Sequence, residues 1–310
     1  MRNAFAQEIV SLAAEDSRIV LLSADIGNRL FDSFKERFPN RFFNCGVAEA
    51  NMIGMAAGLA LSGLRPIAYT ITPFVTSRCL EQIKIDVCYH NVPVTIVGVG
   101  SGLSYAGLGP THHSCDEIAA LRALPHISII CPADSFEVKA ALRCAIYQDQ
   151  PVYMRIGKKG EPAVHESTPT FSIGKIIPMV QGADACLLGN GTIMPVALRA
   201  AALLKERRIT LRVENVHTIK PLDDSALGAI FDSFNIVITL EEHSVIGGLG
   251  GAVAEWMADH HKHKTELIRL GTPDDFCDEV GNQEYMREKF GLTPKAIADL
   301  VERTLKNRIQ

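Results

Sequence analysis

One carboxylate, Glu49, stands at the mouth of an otherwise apolar, small-residue run, NCGVAEANMIGMAAGLALSG, over residues 44–63. Arg41-Phe42-Phe43-Asn44-Cys45 reads as a short strand that reaches Gly46. Met52, Ile53, Met55, Ala56, Ala57, Leu59, Ala60 and Leu61 then give an apolar helix closed by Gly63. Glu49 therefore falls in the first helical turn. A carboxylate there can simply complement the helix dipole, worth a few tenths of a kcal/mol to about 1 kcal/mol. The helix is apolar on nearly every face, however, and Gly54, Ala57 and Gly58 admit the close approach of another backbone. The expectation is a buried carboxylate, which needs either a partner or a raised pKa. The other residues of chemical interest are His112 and His113, which follow a Gly-rich loop over Gly100–Pro110. A histidine in such a loop, taken alone, is ordinarily a structural hydrogen-bonding group.

The elements that must position these groups alternate between helix and strand, as a parallel sheet covered on both faces requires. A helix over about Arg2–Ala14 leads to the strand Ile19–Leu22 and the loop Asp25-Ile26-Gly27-Asn28-Arg29. After the Glu49 helix come a strand at Pro66–Thr70, a helix at Val75–Cys88 and a strand at Pro93–Val99. Beyond the Gly-rich loop lie a short helix from about Cys115, the strand Ile127–Ile130, a helix capped by Asp134 and the strand Val152–Met154. The next stretch holds Pro162, Pro169 and Gly174 and has little periodicity, which divides the chain into a domain at 1–160, a linker at 161–182 and a smaller domain at 183–310. That second domain repeats the alternation with Ala185–Leu188, a helix through Ala200, Thr210–Val213, Ile236–Leu240, a helix after Gly251, and Leu267–Leu270. The fold class is thus α/β, with two doubly wound domains. Gly189-Asn190-Gly191 and Gly247-Gly248-Leu249-Gly250-Gly251 invite a phosphate-cradling reading, but neither has GxGxxG spacing.

Composition limits the function classes. With 310 residues, 47% of them hydrophobic, two cores of ordinary size are expected. A formal net charge of -4 gives no reason to expect nucleic acid or an anionic membrane as partner. The N-terminal MRNAFAQEIVSLAAEDSR reads as an amphipathic helix rather than a targeting peptide, and no apolar run reaches membrane length, so a cytoplasmic protein is expected. Eight cysteines show no CxxC pair or zinc-like spacing and read as reduced core residues, with Cys115 left open.

GVAEANMIGMAAGLALSGLRPI resembles the segment of the transketolase family that carries the glutamate contacting the aminopyrimidine of thiamine diphosphate. SADI near Asp25, GLGPTHHS around His112, ALP with CPAD near Pro132, VHTIKPLD near Lys220 and EEHSVIGGLGG near Glu241 follow in the family's order. The resemblance covers essentially the whole chain, but only as the pyrimidine-binding domain and the C-terminal domain. The GDG of the family's metal-binding half is absent from the sequence. The resemblance therefore implies the C-terminal subunit of a split transketolase-like enzyme. Its magnesium and diphosphate ligands would come from a separate N-terminal diphosphate-binding subunit, and self-association through both domains would give an α2β2 assembly.

By the same resemblance, Glu49 hydrogen-bonds the ring nitrogen and favours the imino tautomer of the cofactor, with burial against Ala and Gly raising its pKa. Phe74 stacks on the pyrimidine. His112 contacts substrate oxygens next to the reacting carbon, with His113 standing where the family commonly has glutamine. Arg2, Arg29 and Arg155 match positions around the substrate phosphate, which suits the bidentate bonding of arginine. The chain departs from the family at several positions. Pro73 and Ile71 replace commoner residues around the ring, Gly100 replaces a histidine, and Leu108 replaces an aspartate that reads a sugar hydroxyl, so a different donor or acceptor is expected. The activity implied is transfer of a two-carbon ketol unit between a ketose phosphate and an aldose. The alternatives are the β subunit of a 2-oxoacid dehydrogenase, a deoxyxylulose-phosphate-synthase-like enzyme, and a non-catalytic assembly subunit that keeps the fold.

Overall fold

The computed structural model describes residues 1–27, 29–260 and 264–309. Asn28 of the 25–29 loop lies outside them. The first sheet contains β1 (Ile19–Ser23), β2 (Phe42–Asn44), β3 (Arg65–Ile71), β4 (Thr95–Val99), β5 (Ser128–Ile130) and β6 (Val152–Ile156), all parallel. The second contains β7 (Ile177–Val180), β8 (Ala185–Gly189), β9 (Leu211–Asn215), β11 (Ile236–Ser244) and β12 (Glu266–Thr272), with β7 antiparallel at one edge. The intervening strand β10 (Thr218–Lys220) leaves its own half of the chain and pairs antiparallel with β5, so the first sheet runs β10-β5-β6-β4-β3-β1-β2. This swap and the position of β7 blur the boundaries expected at 161–182. The end of the expected linker is a sheet edge, and its beginning is pinned where Val164 and His165 donate backbone N–H groups to Asp134, both at 2.8 Å.

Helices cover both faces of the first sheet, and successive strand residues divide between them, as the two-residue side-chain period of a strand demands. Ile19 and Leu21 pack with Phe5, Ile9 and Leu142 from the Arg2–Glu15 and Ser135–Ile146 helices. Val20 and Leu22 pack on the other side with Met52, Ile53 and Ala56 of the Glu49–Leu61 helix. This second core continues without a break into the C-terminal half through Val216, Ile219, Val237 and Trp256, so the two sheets share apolar packing. Asp134 caps its helix as expected, accepting from the backbone N–H groups of Phe136 and Glu137, each at 2.9 Å.

Two local expectations are revised. The Glu49 helix is covered on one side only: Asn51 and Gly58 are exposed, Gly54 and Met55 half-buried, and nothing lies within 4 Å of a side chain built at Gly58. The helix expected over Val75–Cys88 is broken. A helical turn at Thr72–Val75 has Pro in its first turn, Ser77–Cys79 is a 3-10 turn, and Ile83–Tyr89 is wound with i to i+5 bonds. Thr76 marks the break. Its φ of -107° and ψ of -82° are not helical, and its hydroxyl bonds back at 2.7 Å to the Thr72 carbonyl, which also accepts the Thr76 N–H at 3.0 Å. Irregular winding of this kind re-aims the side chains that follow.

Candidate functional site

In open parallel sheets, ligands bind beyond the carboxyl ends of the strands. Here four strand ends converge on one place. The chain leaves β2 at Asn44 and turns at Gly46, whose φ is +64°, before Glu49 opens its helix. It leaves β3 at Ile71 and delivers Phe74 and Arg78; it leaves β4 at Val99 and delivers Tyr105 and His112; it leaves β6 at Ile156 and delivers Lys158.

Glu49 is 4% exposed. Its wall is not only Ala and Gly, as expected, because the Arg78 Nη1 donates to Glu49 Oε1 at 2.8 Å. The same guanidinium lies over the Phe74 ring, 4.1 Å from its centroid. His112 meets Phe74 edge-on at 5.1 Å and Tyr105 at 5.9 Å, and the Lys158 ammonium sits over Tyr105 at 4.6 Å. Glu49, Arg78, Phe74, His112, Tyr105 and Lys158 thus form one continuous line of contacts, acidic at one end and basic at the other. The His112 pKa is lowered from the usual value, chiefly by burial and further by His113 and Arg78, which favours the neutral imidazole. Its Nδ1 is 3.0 Å from the Thr111 hydroxyl. His113 turns the other way, and its Nε2 donates to the Ala106 carbonyl at 3.2 Å.

Gly100 is explained by this geometry. Its φ is +83°, and a side chain there would come within 1.9 Å of the Tyr105 ring. The space left by the missing histidine is therefore filled by Tyr105 from within the same loop. Leu108 stands at the loop tip, 56% exposed.

Arg2 and Arg29 line one cleft of about 740 Å³ together with Gln7, Gly27 and Ser33. The Arg2 Nε is buried and makes no hydrogen bond, and its charge opposes the burial that raises the Tyr105 phenol, so it lies toward the basic end of the line. Arg29 is exposed, 3.9 Å from Asp32.

Arg155 is placed otherwise than expected. It is 2% exposed inside β6; its Nε bonds Glu117, and its Nη2 donates to the Ser114 carbonyl at 2.7 Å and the Glu242 carbonyl at 2.9 Å. Burial alone would lower its pKa, but the Glu117 carboxylate, together with Cys131 and Tyr153, raises it overall. Glu242 in turn accepts from the Leu103 N–H at 2.6 Å and from Arg287 at 2.7 Å. Arg155 therefore ties the His112 loop to the C-terminal half. Lys158, three residues on and exposed, is the cation that strand β6 presents to the site. Burial pushes the Cys115 thiol well above its usual pKa, which disfavours the thiolate.

The Gly-rich turn at 247–251 already holds a carboxyl group. Glu241 accepts from the N–H groups of Leu249 at 2.7 Å and Gly250 at 2.8 Å, and a side chain at Gly248 would lie 2.1 Å from that carboxylate. An internal carboxylate thus occupies the helix N-terminus where a nucleotide phosphate would sit. Among the described residues no group of three or more His, Cys, Asp or Glu is placed to hold a metal ion, and no helix is long and apolar enough to cross a membrane.

Comparison with known proteins agrees with the sequence resemblance. Residues 1–161 match the family described as transketolase, pyrimidine binding domain, and residues 174–297 match transketolase, C-terminal domain. A 6-deoxy-6-sulfo-D-fructose transketolase subunit from Clostridium sp. is 36% identical over 298 residues, covering 96% of this chain and 92% of that relative. One of the subunits of an apulose-4-phosphate transketolase from Actinobacillus succinogenes is 37% identical over 267 residues, 86% of each chain. A solved structure described as a split gene transketolase, inactive beta4 tetramer, superposes with a TM-score of 0.88 at 33% identity, covering 98% of this chain and 97% of the other.

Proposed function

The chain belongs to the transketolase family, and from that premise we propose that it is the pyrimidine-binding and C-terminal half of a two-chain, thiamine-diphosphate-dependent enzyme transferring a two-carbon ketol unit from a ketose to an aldose. A separate chain would supply the magnesium and diphosphate ligands, and pairs of such heterodimers would associate, with the open face of the Glu49 helix available to a second copy.

The observation that carries this reading is the placement of Glu49, Phe74 and Arg78. A planar nitrogen-bearing group, the Arg78 guanidinium, lies over Phe74 while it donates to a buried carboxylate. An aminopyrimidine needs the same two contacts, a flat apolar face and a carboxyl at its ring nitrogen, so the residues fit the group. Thiamine diphosphate supplies the carbanion chemistry when bound; the protein supplies orientation and electrostatics.

Each side chain then has a distinct task. Glu49 holds the proton at the ring nitrogen and so fixes the tautomer of the ring. Phe74 fixes its plane. His112, kept neutral, offers a hydrogen bond to the oxygens at the reacting end of the sugar, and His113 braces the loop through Ala106. Arg2 and Lys158, with Arg29 in the cleft beside Arg2, would supply cations suited to a phosphate or sulfonate terminus of the substrate. Arg155 acts on the site only through the loop it anchors. A non-catalytic assembly subunit would have no need of a buried carboxylate beneath an aromatic face at the strand ends.

The test is calorimetry with thiamine diphosphate and magnesium on the purified chain, alone and with the diphosphate-binding chain. Tight binding is expected only for the pair, because half a site lacks the metal-mediated phosphate contacts. Micromolar binding by the chain alone would overturn the split-site reading.

A further inference from the structure

The ion pair between Glu49 and Arg78 is lopsided. The Glu49 side chain is 5% exposed, whereas that of Arg78 is 45% exposed. The Arg155–Glu117 pair, by contrast, has both ends inside, at 1% and 0%. Arg78 also springs from the irregular stretch after Thr76, within the 3-10 turn Ser77–Cys79 that precedes the loosely wound segment at Ile83–Tyr89, and not from a long regular helix. Among the described residues Glu49 is its one ion-pair partner. The carboxylate is therefore fixed and the guanidinium has a way out to solvent.

Two planar groups cannot lie on the same face of the Phe74 ring, which the Arg78 guanidinium covers at 4.1 Å. We infer that Arg78 is a placeholder for the cofactor: in the empty chain its guanidinium occupies the position of the pyrimidine, satisfying Glu49 and covering Phe74, and it withdraws when the ring enters. The inference rests on the function proposed above and assigns Arg78 a positioning role within that site. A buried carboxylate without a partner is costly, so the empty chain needs the arginine. A half-exposed pair is weak, so a ring that offers the carboxylate an equivalent bond can displace it. Entry of the cofactor and release of Arg78 become one exchange, and the empty site takes up the cofactor less readily than its open geometry would allow.

This makes stability and affinity move in opposite directions when the guanidinium is removed. Arg78→Ala and Arg78→Gln would be prepared in the two-chain complex, with folding checked by circular dichroism. Melting of the cofactor-free complex and calorimetric binding of thiamine diphosphate with magnesium would then be measured. Arg78→Ala is expected to lower the melting temperature of the empty complex by about 1–3 °C. It should tighten thiamine diphosphate binding about three- to tenfold, the range that a half-exposed ion pair and a cation–π contact together allow. Arg78→Gln keeps a donor for Glu49 without the charge, so it should cost less stability and still tighten binding. Unchanged or weaker binding in both variants, beside a wild-type complex that binds, would overturn the placeholder role alone, since a purely structural or cofactor-holding arginine loses affinity on removal. No binding by the wild-type complex would instead overturn the function on which the inference rests.

Discussion

Replacing Arg155 by methionine separates a substrate-binding arginine from one that holds the fold. Methionine fills much of the same space without charge. In the structure it would leave Glu117, 1% exposed, with the Tyr153 hydroxyl at 3.3 Å as its remaining side-chain donor, and would leave the carbonyls of Ser114 and Glu242 without their guanidinium. Breaking a buried ion pair from one side costs about 3–5 kcal/mol. An unfolding entropy of about 2.1 cal/mol/K per residue gives roughly 0.65 kcal/mol/K for a chain of this length, so the melting temperature should fall by about 5–8 °C if the chain melts as one unit. Differential scanning calorimetry reads this directly. The paired change Glu117→Gln with Arg155→Met should recover part of the loss, because no uncompensated charge then remains inside. Unchanged melting, together with a raised KM for a phosphorylated ketose in the assembled enzyme, would refute the structural assignment and return Arg155 to the substrate.

Two further outcomes are expected. Leu108→Asp, at an exposed loop tip where stability should change little, is expected to shift the ratio of kcat/KM toward xylulose 5-phosphate by about tenfold, equivalent to a hydroxyl contact worth roughly 1.4 kcal/mol; an unchanged ratio in competition assays would show that the tip does not meet substrate. Glu137 is fully buried, and burial pushes its carboxyl up to about 7 even though the Ala133 N–H and the Asn215 side chain donate to it. A carboxyl raised in the folded state binds its proton more tightly there than in the unfolded chain, so its favourable contribution is present below about pH 4.5 and is lost as pH rises toward 7. Glu137→Gln should therefore flatten the fall in melting temperature between pH 5 and 7, leaving the similar share of Glu241, also pushed up to about 7 by burial; an unaltered slope would contradict that assignment.

The parts of the fold that were legible in the sequence were those with strong local causes. β1 and β3 are apolar runs between turn signals, Asp134 is a capping residue ahead of an amphipathic helix, and Glu49 opens a run that only a helix accommodates. What the sequence hid depends on where an element ends. The apolar spacing of Val75–Cys88 reads as one helix, yet Pro73 starts a separate turn and the back-bonding Thr76 interrupts it, which turns Arg78 toward Glu49. Strand β6 runs to Ile156, beyond the Met154 expected from its apolar residues, so Arg155 shares a face with Tyr153 inside the sheet while Lys158 emerges at its end. A charged residue within a strand carries no local sign that a glutamate 38 positions away will neutralise it. The crossing of β10 into the first sheet was equally illegible, because three residues give no usable periodicity and their partner, β5, lies in the other half of the chain.

The central claim is that Glu49 activates a bound cofactor through a carboxyl proton, and Glu49→Gln tests it most directly. Glutamine keeps the size of the side chain and a hydrogen bond for the ring but cannot share that proton. The pair it forfeits with Arg78 is half exposed and worth about 0.5–1 kcal/mol after solvent screening, too little to unfold the chain. In the reconstituted two-chain enzyme the expected result is intact assembly, retained thiamine diphosphate binding and a fall in kcat on the order of a hundredfold or more. A Glu49→Gln enzyme that assembles, binds the cofactor and turns over at close to the wild-type rate would contradict the claim and leave Glu49 as a helix-terminal charge.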